Sequence, residues 1–82
     1  MAAQSEAHAA VGNAIRAIRN ETGVSQEAFA FKCGLDRSYF GAVERGERNV
    51  SLTNLLKITR SLGVSPSELL ARAEKINGKA LA

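Results

Sequence analysis

The stretch "SQEAFAFKCGLDRSYFGAVERGERN", residues 25–49, leaves the chain little choice of architecture. Ser25 is suited to cap a helix that Gln26 and Glu27 open, and Gly34 stops it, which gives a short helix over 26–33. Asp36 caps the next helix, over 37–45, which ends at Gly46. Only Gly34, Leu35 and Asp36 lie between the two. A connection that short forces the helix axes to cross steeply. Ala30 is small enough to let the second helix approach, Gly34 accepts the positive φ of the turn, and Phe40 and Val43 point into a core.

The flanking segments carry the same punctuation. Val11, Ala14, Ile15 and Ile18 fall at helical spacing with Gly23 as a C-terminal cap, so a helix spans about 6–22. Ser51 opens another over 52–62, on which Leu52, Leu55, Leu56, Thr59 and Leu62 are expected to share one face. In "SPSE", 65–68, Ser65 sits at the N-cap, Pro66 at the first helical position and Glu68 closes a capping box, starting a helix over 66–76. No period-2 run rich in β-branched residues is present. The expectation is an all-α bundle of five short helices in a single domain over 1–82, with frayed ends at about 1–5 and 77–82.

Eleven Lys and Arg against eight Asp and Glu leave +3, and the entire surplus falls in 49–82. Residues 34–51 hold three arginines and three acids, so an argument for a polyanionic partner has to come from geometry. The spacing supplies it: Arg37, Ser38, Gly41 and Arg45 share one face of the third helix, and Phe40 and Val43 lie on the opposite one. Cys33 is the sole cysteine, which excludes an intramolecular disulfide and is read as a small packed hydrophobe; His8 is read as a surface residue. No metal-ligand cluster, catalytic constellation or glycine-rich phosphate loop is legible, so neither an enzyme nor a metal or cofactor is expected. No apolar run approaches the roughly 20 residues that span a bilayer, and a cytoplasmic, non-membrane protein is expected.

Residues 25–70, "SQEAFAFKCGLDRSYFGAVERGERNVSLTNLLKITRSLGVSPSELL", resemble the Cro/C1-type helix-turn-helix family, the phage-repressor-like or XRE regulators. Gln26, Ala30, Gly34, Glu44, Gly46 and the "LGVSPSELL" ending occur together at that family's spacing, and "LDRSY" followed by "ERGERN" is similar to the controller proteins of restriction-modification systems. The resemblance implies a five-helix lambda-repressor-like fold. It also implies a sequence-specific regulator that binds double-stranded DNA as a homodimer on a pseudo-palindromic operator, where it blocks or recruits RNA polymerase. Within that reading Arg37 pairs with a guanine, Ser38 meets phosphate, Tyr39 meets phosphate or a base edge, and Gly41 permits close backbone approach to DNA or to another helix. Gln26 meets a phosphate, and Arg45, Arg48 and Asn49 hold the DNA backbone.

The acids have roles of their own. The resemblance pairs Glu44 internally with Arg19; Asp36 is explained as a cap and Glu47 by solvent. Leu70, Ala73 and Ile76 form an apolar strip on the last helix and are the candidates for the dimer interface. Phe31 and Phe40 depart from the smaller or branched residues usual in the family, which bears on the tilt of the third helix. The alternative reading is an antitoxin-like or adaptor module that uses the last helix to bind a second protein.

Overall fold

Among residues 3–82, which the computed structural model describes, five helices form and no strand. They are α1 (Glu6–Thr22), α2 (Gln26–Cys33), α3 (Arg37–Glu44), α4 (Leu52–Leu62) and α5 (Pro66–Asn77). Each starts on a side-chain cap: oxygens of Ser5, Ser25, Asp36, Ser51 and Ser65 accept from the backbone N–H of His8, Ala28, Tyr39, Asn54 and Glu68. A cap of this kind is worth about 1 kcal/mol, which explains why such short helices begin where the sequence punctuates them. The Ser65 N–H in turn donates to Glu68, and that bond, with the Ser65 hydroxyl, holds the Glu68 carboxyl below the usual carboxylate range. Helix α3 stops one residue earlier than expected, at Glu44, and α5 runs one residue further, to Asn77.

All five helices feed one core. Ala10, Ala14, Ile15 and Ile18 of α1 meet Phe29, Ala30 and Cys33 of α2, Phe40 and Val43 of α3, Ile58 and Leu62 of α4, and Leu69 and Ala73 of α5. Phe29 and Phe40 stack tilted at 42° with centroids 5.2 Å apart, which pins the α2–α3 crossing. Gly34, at φ 71°, makes the turn between them possible, and the Leu35 N–H closes it on the Ala30 carbonyl. Phe40 is therefore a core residue that sets the seat of α3. Phe31 is 87% exposed and has no bearing on its tilt. Burial pushes the Cys33 thiol above its ordinary value, as suits a packed hydrophobe.

One expectation needs correction. On α4 the buried residues are Ile58, Thr59 and Leu62, with Leu55 half-buried, whereas Leu52 and Leu56 face solvent. The true stripe runs Leu55, Ile58, Thr59, Leu62, and the two other leucines flank it. The ends make contacts of their own. The Gln4 N–H donates to the Gly46 carbonyl at 2.8 Å and its side-chain amide to the Glu47 carbonyl at 3.1 Å, while Ser5 caps α1. At the other end Leu81 packs against the core and Lys79 pairs with Glu6 at 3.0 Å. Residues 1 and 2, part of the segment expected to fray, lie outside the described residues.

Candidate nucleic-acid interface

Helix α3 turns Phe40 and Val43 inward and leaves Arg37, Ser38 and Arg45 exposed. With Gly41 and with Gln26 from α2, these residues line a shallow polar cleft. Acids stand beside both arginines: Arg37 Nε lies 3.7 Å from Oε2 of Glu27 on α2, and Arg45 Nε lies 3.1 Å from Glu47 Oε1. Glu47 is not a solvated acid as expected, since its side chain is only 12% exposed. The Arg37–Glu27 contact is a surface pair worth about 0–1 kcal/mol, so the Arg37 guanidinium remains available to a stronger anion, and Arg45 keeps half of its side chain open to solvent.

Beneath this face lies a buried charge cluster. Glu44 is 0% exposed, and Arg19 grips it with both arms: Nε donates to Oε2 at 2.7 Å and Nη2 to Oε1 at 3.1 Å. The remaining Arg19 arm donates to the Val24 carbonyl at 2.9 Å, tying the α1–α2 connection into the same cluster. Glu44 Oε1 also accepts from Gln26 Nε2 at 2.8 Å. The Gln26 amide NH2 thus faces a carboxylate that can only accept, and one of its two N–H donors is spent on Glu44 while the residue still lines the cleft. A Cβ at Gly41 would stand 3.2 Å from Gln26 Oε1 and from Arg45 Nη1, so the glycine makes room for these two side chains.

A second network fixes the segment after α3. The Tyr39 hydroxyl donates to the Asn49 carbonyl at 3.1 Å and accepts from Asn54 Nδ2 at 3.2 Å, and the Arg48 guanidinium lies over the Tyr39 ring, 5.5 Å from its centroid. Asn49 Oδ1 bonds His8 Nε2, and His8 Nδ1 bonds Ser5 Oγ at 2.6 Å. His8 is thus half-buried and engaged, not the plain surface residue expected. Arg48 and Asn49 stay exposed at the rim.

The expected apolar strip on α5 divides. Ala73 is 0% exposed within the chain's own core and cannot meet a partner; it sits on the axis of the inward face, between Leu70 and Ile76. Leu70 opens onto an apolar hollow with Val11, Val43, Val50 and Leu55, whereas Ile76 lies beside Ala9, Ala10 and Asn13.

The family model for Helix-turn-helix matches residues 15–69, from the middle of α1 to the start of α5. The chain belongs to the XRE-type helix-turn-helix family of transcriptional regulators. Control protein C.MunI of Mycoplasma sp is 49% identical over 65 residues, 78% of this chain and 88% of that protein. The restriction-modification controller protein C.AhdI from Aeromonas hydrophila superposes with a TM-score of 0.72 and 52% identity, over 74% of this chain and 92% of that one. C.Esp1396I, solved as a tetramer in complex with its natural 35 base-pair operator, gives a TM-score of 0.83 at 34% identity, over 93% of this chain and all 100% of that one.

In this XRE-type chain several participants had no local sequence signal. Arg16 of α1 stands 3.6 Å from Glu44 Oε1, and Asn54 of α4 and His8 of α1 hold the Tyr39–Asn49 network. Each acts on a residue 15 or more positions away, so only the packed fold brings it into view.

Proposed function

We propose that this chain is a cytoplasmic transcriptional regulator of the restriction-modification controller type, a homodimer that reads a pseudo-palindromic operator in double-stranded DNA. The single observation that carries this reading is the sorting of α3: a polar face on which Arg37, Ser38 and Arg45 are open to solvent around the covered Gly41, over a core face seated on Phe29 and a buried Glu44. Such a helix fits the major groove, where Arg37 near its N-terminus pairs with a guanine at about 1–3 kcal/mol of discrimination. Ser38, Arg45, Arg48 and Asn49 contact phosphates and set register. Tyr39, its hydroxyl already engaged, holds Asn49 and presents its ring edge. The operator complex of C.Esp1396I, a protein whose fold this chain matches along that protein's whole length, supports the docking mode.

Dimerisation rests on the apolar hollow at Leu70, Leu55 and Val50, with Leu70 and Ile76 as the α5 contacts. Two copies then place their α3 helices about 34 Å apart, one turn of DNA. Bound across a promoter, the dimer blocks or recruits RNA polymerase. The test is equilibrium binding of the purified protein to a duplex selected from a random pool and to its scrambled counterpart, together with the mass in solution. Strong preference for the selected duplex by a dimer is expected. Equal affinity for both would contradict a sequence reader and favour a module that binds another protein.

A further inference from the structure

We infer that Arg16 on α1 is a contact to the DNA phosphate backbone, which extends the interface beyond α2 and α3; this rests on the DNA-binding reading above. Glu44 receives Arg19 at both oxygens, at 2.7 and 3.1 Å, and Gln26 at Oε1, 2.8 Å. Arg16 Nε stands 3.6 Å from the same Oε1, beyond hydrogen-bond length, and its side chain is 43% exposed against 9% for Arg19. Two guanidiniums share one carboxylate, so the cluster keeps one positive charge. Arg19 is sealed inside, and the charge reaches solvent at Arg16.

Its position selects the ligand. The oxygen that Arg16 faces is the one bonded by Gln26, and Gln26 lines the polar cleft with Arg37, Ser38, Gly41 and Arg45. Arg16 therefore lies beside the reading face of α3, at the start of α2, where the strand flanking the groove passes. Arg37 and Arg45 each face an acid of their own, Glu27 and Glu47. Arg16 shares an acid that Arg19 already neutralises, so a phosphate gains the full charge without displacing a paired carboxylate. A guanidinium on a phosphate adds affinity and no sequence information.

The test compares the full-length protein with its Arg16→Gln and Arg16→Lys variants on the selected duplex and on a scrambled one, across a salt series. For Arg16→Gln the expected result is weaker binding by the same factor on both duplexes and an unchanged consensus. The slope of log K against log salt should be shallower by about 0.9 for each phosphate no longer neutralised, about 1.8 for a dimer. The thermal midpoint should hold, because Glu44 keeps Arg19 and Gln26, and Arg16→Lys should restore the slope. An unchanged slope overturns the inference, whether the midpoint falls, which would make Arg16 a counter-ion to Glu44 only, or stays the same. Wild-type protein that binds neither duplex would overturn the DNA-binding reading itself, and this inference with it.

Discussion

Gly12 of α1 and Glu44 at the end of α3 meet backbone to backbone. A Cβ on Gly12 would stand 2.5 Å from the Val43 carbonyl oxygen and 2.8 Å from the Glu44 carbonyl carbon. The glycine costs α1 about 1 kcal/mol of helix propensity and in return lets the two helices touch where Glu44 enters its cluster. Gly12→Ala is expected to destabilise the fold by about 1–3 kcal/mol, since backbone must move, lowering the thermal midpoint by roughly 4–8 °C per kcal/mol. A midpoint equal to or above wild type would contradict the close approach.

Removing one partner of the Arg19–Glu44 pair strands the other in the core. Arg19→Ala and Glu44→Ala are each expected to cost about 3–5 kcal/mol in urea unfolding, enough to leave a domain this small largely unfolded. The double variant Arg19→Met with Glu44→Leu removes both charges and is expected to recover most of that stability. Equal destabilisation in single and double variants would show that the pair is not coupled.

Two groups contribute to the pH response with opposite signs. Glu68 is held below the usual carboxylate range by the Ser65 N–H and hydroxyl, so its contribution is complete above the unfolded value of about 4.3 and is lost as pH falls through the folded one. Glu68→Gln should flatten the acid limb of the stability curve. The Cys33 thiol is raised by burial, so its contribution is complete below the unfolded value of about 8.5 and is lost as pH rises through the folded one. Native protein should accordingly react with a thiol reagent far more slowly than urea-unfolded protein; equal rates would place Cys33 at the surface.

The division of the α5 strip predicts different outcomes at neighbouring positions. Leu70→Glu, at a half-open site, should give a folded monomer by sedimentation, with its circular dichroism intact. Ala73→Glu should abolish folding, because Ala73 is wholly enclosed. A Leu70→Glu protein that remains dimeric would exclude this face as the interface.

Much of this architecture was legible because short-range chemistry specifies it. The five caps and the glycine stops set the helix bounds to within a residue. Where two registers of the same period compete, sequence alone does not choose: on α4, Leu52–Leu56 and Ile58–Leu62 both continue an apolar spacing through Leu55, and packing against the core selects the second. The direction of the Gln26 amide was not legible either. It depends on where Glu44 lies, 18 residues away, once α2 and α3 have crossed. The same holds for His8 on Asn49 across 41 residues, and for the enclosure of Ala73.

The most direct measurement is selection from a random duplex pool by wild-type protein and by Arg37→Ala in parallel, at one salt concentration. The expected result is a pseudo-palindromic consensus from the wild type and a relaxed preference at one guanine per half-site in the variant, with the other positions kept. An identical consensus from both proteins would remove Arg37 from base readout, and no enrichment from folded wild-type protein would contradict sequence-specific regulation by this chain.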